Sequence, residues 1–437
     1  MNLNLTAKQP FLDDYEASFP NMVGAKHNWL SAIRKNGLQA YSNHGINLEK
    51  IENWHYTKLK FLKTINFVKS NVKSKIKLPE ITDVNASYVA VVVNGKFRDD
   101  LSFGDVPKGI KIFSLASVLE NDTPDWISEI LAKQVDMQNA SLAALNTAWL
   151  EDGYVIDVMP NVSLKKPILI LMLNDAGKEP SAIYTRGLVR LGKNAHIKII
   201  EEHSPVVEKI CFVNAVTELV LSEDAKLGYY KRVKGSSEAY HIGFVGAMVL
   251  KNAELESFIM QNNAALSRSE YNVNLAGEGA KAVVNGAYMG AEHQISDITC
   301  CIEHNASYTC SDQIIRGLVA GDSKAVFQGK IFVNRGTAKV DGNQNHKALL
   351  LSKNAEVDCK PELEIYADDV KCSHGATTGF LDKDAMFYLR ARGVSENDAQ
   401  KMLAAAFLKD AISTIKDDNI IDYFEKNLEK WLDNNLL

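Results

Sequence analysis

The spacing of hydrophobic positions changes twice along the 437-residue chain. Before about residue 150 the apolar side chains recur mainly at intervals of three and four, which is the helical period. From about residue 154 they alternate with polar side chains, which is the period of a β-strand. After Gly379 the helical spacing returns. These changes predict an N-terminal helical and small α/β domain, a β-helix core and a C-terminal helical domain, at residues 1–150, 151–378 and 379–437.

The N-terminal part combines helices with short strands. Helical spacing predicts mostly helix over residues 1–75 and one helix over residues 124–149, whose apolar stripe includes Leu142. Alternating apolar positions predict strands near residues 87–98 and 110–114. The strands are therefore expected to form a small α/β region.

A short turn motif, polar residues followed by Ala, recurs through the middle part. It occurs at residues 192–195, 222–225, 251–253, 277–280 and 304–306, in steps of 30, 28, 27 and 26. Later small residues follow in steps about half as long, at Ala325, Ala338, Ala355 and Val370. Asn, Asp and Gly recur in the turns because they tolerate left-handed backbone angles.

A coil of two strands explains both step lengths. Regular short strands could also form a sandwich or barrel, but a nearly constant period with a repeated small residue favours a solenoid. We therefore predict a mainly β protein with a right-handed parallel β-helix core of about eight coils, which at about 4.8 Å per coil gives a rod about 38 Å long.

The C-terminal part predicts helices with clear boundaries. Asp382 to Arg392 forms a short helix that Gly393 ends, and Ser395 caps the next helix with Asp398 three residues on. About 55 residues have little core of their own. The apolar faces of these helices are therefore expected to dock on the rod, on each other or on a partner.

Composition narrows the function classes. The net charge is 49 − 54 = −5, which argues against broad nucleic-acid binding, and the basic segment 69–77 is expected to be a solvated linker or helix face. No apolar run reaches the roughly 18 residues that a membrane span needs, and no signal peptide is visible. Six scattered cysteines without a C-x-x-C pair indicate reduced thiols and a cytoplasmic protein. The sequence has no P-loop, no HExxH and no GxSxG motif.

The candidate chemistry lies at the end of the β region. Cys372 and His374 are two residues apart on a predicted strand, so their side chains point to the same face. In the repeat register His374 aligns with Cys359, which would gather two thiols and one imidazole inside the rod near one end. By pattern alone, these residues are either core residues or a functional thiol site. They are fewer than the four ligands of a closed zinc or iron–sulfur site.

Two enzyme classes remain as alternatives. A β-helix carbohydrate lyase or hydrolase would need outward carboxylates on consecutive coils, and Glu254, Glu256 and Glu278 lie on nearby coils without a clear register. A nucleophilic enzyme could use Cys372 with His374 as its base. Such a nucleophile needs an open cleft, whereas the register places this pair inside the rod.

Several segments resemble the SufB/SufD family. They are residues 340–346, 349–379 and 387–393, together with residues 52–57, where His55 replaces the Lys that is usual in the family's W-K-Y-T motif. The C-S-H-G-A-T form at Cys372–Thr377 is similar to the SufD branch, since SufB would show an E-H-E-A-T type of sequence. The match is strongest over residues 340–410.

The resemblance implies a non-catalytic scaffold subunit for iron–sulfur cluster assembly, in a SufBCD complex with SufB and the ATPase SufC. It implies that the β-helix pairs with that of SufB and that SufC docks on the C-terminal helices. In isolation the chain would form a homodimer. Candidate docking residues there are Phe387, Met402, Leu403 and Phe407. A transient cluster would form near the SufB–SufD interface, where Cys372 and His374 match the implicated positions and Cys359 is an additional candidate. Binding of reduced flavin to the complex is left open.

Overall fold

Two long sheets face each other along the chain's β region and enclose a common core. The computed structural model describes residues 10–70, 76–79, 84–121 and 123–436. Its α-helices are α1 Tyr15–Ser18, α2 Asn28–His44, α3 Leu115–Glu120, α4 Asp125–Ile130, α5 Ser141–Ala148, α6 Lys383–Ala391, α7 Glu396–Ile412 and α8 Asp418–Asn435. Short 3-10 helices span Phe19–Asn21, Leu48–Lys50, Glu52–Trp54 and Lys60–Lys63.

The strands of the described residues are as follows. They are β1 Val68–Lys69, β2 Tyr88–Val93, β3 Lys96–Phe97, β4 Phe103–Gly104, β5 Ile110–Ser114, β6 Gly153–Val158, β7 Ile168–Asn174, β8 Ser181–Leu191, β9 His196–Pro205, β10 Cys211–Leu221, β11 Lys226–Lys234, β12 Ala239–Val249, β13 Glu254–Asn262, β14 Leu266–Leu275, β15 Lys281–Gly290, β16 Ile295–His304, β17 Cys310–Val319, β18 Lys324–Val333, β19 Val340–Leu350, β20 Glu356–Ile365 and β21 Val370–Phe380.

From β6 onward, consecutive strands belong alternately to the two sheets. The ten-stranded sheet contains the even-numbered strands from β6 to β20, and the eleven-stranded sheet contains the odd-numbered strands from β7 to β21. Each strand pairs in parallel with the strand two places along the chain. Lys226 of β11, for example, lies beside Glu254 of β13, and 254 − 226 = 28 residues make one coil. This is a parallel β-helix of about eight coils. The predicted β-helix core is confirmed.

The recurring turn motif has the backbone shape that its residues predict. Asn194, Asp224 and Asn252 have φ of 57°, 59° and 53°, which is the left-handed region that Asn and Asp tolerate. The alanine after each of them is fully buried between the sheets. A small residue is needed there because the chain turns tightly into the next strand.

The N-terminal part packs against the outer face of the ten-stranded sheet, where Phe11, Phe67 and Phe212 form a ring cluster. The predicted strands near 87–98 and 110–114 are confirmed. β2 also joins the eleven-stranded sheet by pairing in parallel with β7. Lys73 and Lys75 of the basic segment lie outside the described residues.

The single helix predicted over residues 124–149 is wrong. The structure has two short helices, α4 and α5, and the chain between them turns at Ala132, whose φ is 61°. The Glu218 carboxylate accepts hydrogen bonds from the backbone N–H groups of Ala132, Lys133 and Gln134. A carboxylate 86 residues away therefore satisfies the donors that a continuous helix would have used.

The C-terminal helices cover the outer face of the eleven-stranded sheet. Phe424 of α8 packs on Phe258 of β13 with 4.9 Å between ring centroids. The predicted boundaries are confirmed, since Asp382 and Ser395 cap α6 and α7 and Gly393 has φ of 89°. Within the described part of the chain, no helix is both long enough and apolar enough to span a membrane.

Candidate functional site: the terminal coil

The last coil of the rod, formed by β20 and β21, is here called the terminal coil. β20 pairs only with β18 and β21 only with β19, so no described strand covers their other edges. Residues of β21 from Ser373 to Thr378 are exposed, whereas the inward-facing residues of β19 from Val340 to Ala348 are buried. The terminal coil is therefore an open sheet end that bears chemically active side chains.

Cys372 lies at the inward side of β21, opposite Gly342 of β19. Its side chain is half-buried and packs with Val370 against the end of the core at Ile331 and Val333. Burial is the main cause that raises the pKa of the Cys372 thiol. The thiol is therefore shielded and protonated in the isolated chain.

His374 occupies the next inward position on β21, beside Gln344, but its side chain is exposed. The expectation that both side chains lie inside the rod is met only in part, since Cys372 is half-buried and His374 is exposed where no further coil covers the end. No hydrogen bond joins the two side chains in the described structure. The pKa of the Cys372 thiol is also raised. The two side chains therefore do not form the activated thiol–base pair that a nucleophilic enzyme uses.

Cys359 contacts an imidazole that the sequence analysis did not single out. Its Sγ lies 3.3 Å from Nδ1 of His346, and Nε2 of His346 lies 2.9 Å from the Tyr288 hydroxyl. Burial lowers the pKa of His346 to about 3 and raises the pKa of Cys359 to about 12. His346 lies within the quoted segment 340–346, and its period-two spacing from Gly342 and Gln344 was the available signal.

The arrangement of the three predicted residues also differs from the expected stacking. Cys359 is on β20 and pairs with Phe327, whereas Cys372 and His374 are on β21 in the opposite sheet. The two sets therefore face each other across the interior instead of lying on neighbouring strands. The structure joins Cys359 to His346 and leaves Cys372 and His374 on the open edge.

The donors at the terminal coil do not form a complete metal site. Among the described residues, no group of three or more His, Cys, Asp or Glu side chains is placed to hold a metal ion. Cys359 with His346, and Cys372 with His374, each offer one sulfur and one nitrogen. Additional ligands would have to come from other donor types or from a partner.

The four candidate docking residues on the C-terminal helices divide into two kinds. Phe387 on α6 and Met402 on α7 are 75% and 52% exposed, and Tyr388 beside Phe387 is also exposed. Leu403 is half-buried, and Phe407 packs against the core under the helices. Phe387 and Met402 are thus exposed apolar side chains, while Phe407 holds the helix on the rod.

The segment 52–57 lies on the outer face of the ten-stranded sheet near the terminal coil. Trp54 is buried over Arg268 of β14, and Thr57 donates a hydrogen bond to Asp297 of β16. His55, at the position of the family's lysine, is exposed. The segment therefore fastens the N-terminal part to the rod.

A charged cluster is buried inside the middle coils. The Glu201 carboxylate accepts hydrogen bonds from Tyr154, Tyr229 and Thr217, and Lys231 Nζ lies 3.1 Å from its Oε1. The surrounding donors, with the Lys231 ammonium the strongest lowering influence, hold the pKa of Glu201 well below its usual range despite burial. These groups are several coils from the open end and have a structural role.

The carboxylates that a sugar-cleaving enzyme would need are engaged elsewhere. Glu254 pairs with Lys226, and Glu256 accepts a hydrogen bond from Tyr230 and pairs with Lys416. They lie on the outer side of the eleven-stranded sheet beside the loop before α8. Each of these two carboxylates is thus held by an ion pair or a hydrogen bond.

Comparison with known families matches nearly the whole chain. The model described as "SUF system FeS cluster assembly, SufBD core domain" matches residues 172–407. The model for the SufBD protein N-terminal region matches residues 5–170. The junction between the two matches falls within β7.

Individual relatives agree with these matches. The chain is 29% identical to the iron–sulfur cluster assembly protein SufD of Escherichia coli over 92% of this chain and 96% of that protein. It is 30% identical to an iron–sulfur cluster assembly SufBD family protein of Synechocystis over 83% of each chain. It is 29% identical to protein ABCI7, chloroplastic, of Arabidopsis thaliana over 78% of this chain and 73% of that protein.

Proposed function

The chain belongs to the SufBD family of the SUF system for iron–sulfur cluster assembly, and we propose that it is a SufD-like, non-catalytic scaffold subunit of a cytoplasmic SufBCD complex. In this proposal it receives and passes on a cluster without forming or breaking the sulfur donor's bonds itself. The cluster is its cargo, and no flavin site is assigned to this chain.

The open edge of the terminal coil carries the proposal. β21 presents 11 residues whose outer backbone groups no described strand pairs. A long exposed edge invites pairing with another strand, and soluble proteins avoid leaving such edges free. A homologous β-helix, that of SufB, is the partner whose strand would continue the ladder by β-augmentation.

The chemistry at that edge supports a role with iron and sulfide. Cys372 and His374 offer a thiolate and an imidazole, ligands that suit iron. Both lie on β21, the open edge strand itself, so a partner's side chains could complete the set. His374 is already exposed, and the half-buried Cys372 would be deprotonated when iron binds.

ATP hydrolysis is assigned to the partner SufC. This sequence has no P-loop, and Phe387 and Met402 give α6 and α7 an exposed apolar surface for a docked ATPase. We propose that movement of these helices on nucleotide binding is transmitted along the eleven-stranded sheet to β21. The helices are also connected to β21 through the chain itself, because α6 begins three residues after β21 ends.

The test is affinity purification of the tagged chain from its own cells, followed by cluster assembly with the recovered complex. We expect an ABC-type ATPase and a second β-helix protein to co-purify. Cys372→Ser and His374→Ala should lower the rate of cluster assembly by at least about tenfold, while Cys301→Ser, on an outer face of β16, should not. Recovery of the chain alone, or an unchanged rate in both variants, would refute the proposal.

A further inference from the structure

The contact between Cys359 and His346 crosses the interior of the rod and joins the terminal coil to the coil before it. Cys359 is on β20 of the ten-stranded sheet and His346 is on β19 of the eleven-stranded sheet. Their Sγ and Nδ1 atoms are 3.3 Å apart. His346 is fully buried and Cys359 is half-buried, so the pair is separate from the exposed His374.

The surroundings fix the orientation of the imidazole. The His346 ring lies parallel to the Phe327 ring, with 4.7 Å between centroids and 4° between planes. Its Nε2 is 2.9 Å from the Tyr288 hydroxyl, and its Nδ1 is 3.3 Å from Cys359 Sγ. With Nε2–H donating to Tyr288, Nδ1 presents its lone pair to the thiol. A hydrogen bond of this kind on the second nitrogen is what orients histidine ligands in metal sites.

The spacing of the two atoms matches a chelated metal ion. With metal–sulfur and metal–nitrogen bonds of about 2.3 Å and about 2.05 Å, a separation of 3.3 Å gives an angle of about 100° at the metal, close to the tetrahedral value of about 109°. The donors need to move by only a few tenths of an ångström. The separation seen here is therefore close to that of two ligands of one ion.

A buried amide lies on the same inward face of β19 as His346. Gln344, two residues before His346 on the same face of β19, is buried, and neither of its amide atoms has a hydrogen-bond partner in the described structure. Its Nε2 is 3.1 Å from the place that a Cβ would take on Gly329, on the strand next to that of Cys359, so the amide reaches across the interior. A buried amide without partners is uncommon and indicates an unfilled polar space.

The inward row of polar residues continues from the pair to the open end. Gln344 lies directly beside His374 in the β19–β21 register, so the exposed imidazole and the buried amide are neighbours in one inward row. His346 is the next inward residue after Gln344. An ion that enters at His374 would thus meet polar groups at each step toward the interior.

We propose that Cys359 Sγ and His346 Nδ1 bind a divalent transition-metal ion inside the rod, with the Gln344 amide oxygen as a third donor. On binding, the sulfur–metal bond replaces the S–H bond, the thiol proton leaves to solvent, and the imidazole gives its lone pair without a change in oxidation state. The sulfur and nitrogen donors select such ions over magnesium and calcium. The inference rests on the proposed function only in naming Fe²⁺ as the ion supplied. Because the chain provides fewer than four ligands, binding of the ion is transient.

Cobalt(II) added to the full, reduced chain without sulfide tests this site independently of any partner. We expect a thiolate-to-cobalt absorption band that Cys359→Ser abolishes and that His346→Gln weakens by more than about 100-fold. Tyr288→Phe should weaken cobalt binding about tenfold because it removes the acceptor that orients the imidazole. Cys372→Ser, which removes the other thiol of the terminal coil, should leave the band unchanged.

Circular dichroism of each variant checks that the fold is retained. The proposal is overturned if the wild-type chain shows no such band, or if the band survives Cys359→Ser in a folded chain. A band that is lost with Cys372→Ser instead would place the metal at the edge and equally overturn it. Cobalt binding is measured on the isolated chain, so it can be observed even when complex formation fails. Complex formation can likewise be observed when cobalt does not bind, so the two proposals can fail separately.

Discussion

The guanidinium of Arg268 lies against the indole of Trp54, with 4.1 Å between Cζ and the ring centroid. Trp54 belongs to the N-terminal segment 52–57 and Arg268 to β14 of the rod. The same guanidinium forms ion pairs with Asp297 and Glu270, and Arg268 is fully buried. One arginine therefore joins two carboxylates of the β-helix to the segment that closes over them.

Replacing Arg268 should destabilise the chain strongly. Arg268→Leu leaves Asp297 buried without its counter-charge, which is expected to cost about 3–5 kcal/mol in the free energy of unfolding. Lys360→Ala, whose partner Glu52 is exposed, should cost less than about 1 kcal/mol. Urea unfolding of both variants measures the difference. If both variants lost the same free energy of unfolding, the buried ion pair of Arg268 would not be a main stabilising contact of this segment.

The buried Glu201–Lys231 pair predicts coupled effects. Glu201→Gln leaves the Lys231 ammonium in the interior without a negative partner and should cost about 3–5 kcal/mol. Adding Lys231→Met removes that charge, and the double variant should be more stable than Glu201→Gln alone. A double-mutant cycle by urea unfolding measures this coupling. Additive losses would contradict it.

The buried histidines predict loss of stability in mild acid. Burial is the main cause that lowers the pKa values of His203, His241 and His304, the last to about 4. Below about pH 6.5 the unfolded chain binds protons at these positions while the folded chain does not, so folding weakens as the pH falls, by at most about 1.4 kcal/mol per pH unit for each histidine.

Urea midpoints measured between pH 7.5 and 4.5 test this dependence. Stability should be nearly constant above pH 7 and should fall from about pH 6.5 toward pH 4.5, a window above most carboxylate titration. In His304→Asn the slope over that window should be smaller than in the wild-type chain. An unchanged slope in this variant would mean that His304 does not contribute to the acid sensitivity.

On the C-terminal helices, we expect exposed residues to affect docking of the ATPase and buried residues to affect the stability of the fold. Phe387→Ser and Met402→Ser change exposed side chains and should alter the free energy of unfolding by less than about 0.5 kcal/mol while lowering the yield of co-purified ATPase. Leu408→Ala, one residue after Phe407 and fully buried, should cost about 2–5 kcal/mol instead. Normal ATPase recovery with both serine variants combined would exclude this surface as the docking site.

The β-helix was predictable because its information is local and repeated. The turns at Asn194, Asp224 and Asn252 each combine a residue that adopts positive φ with a buried alanine, and parallel pairing follows from their period. The capped ends of α6 and α7 were predictable for the same reason, since a cap and the N–H groups that it binds are within three residues.

What the sequence by itself determined is the order of helical and strand-forming parts, the coil length and the family. Only the tertiary structure decided which distant groups meet. Glu218 ends the helical run at Ala132, and Cys359 contacts His346 of the opposite sheet instead of lying in a row with Cys372 and His374. His374 is exposed because the rod ends there. The physical reason is that periodicity fixes which face a side chain takes on its own strand, whereas its neighbours depend on how two sheets close around a core.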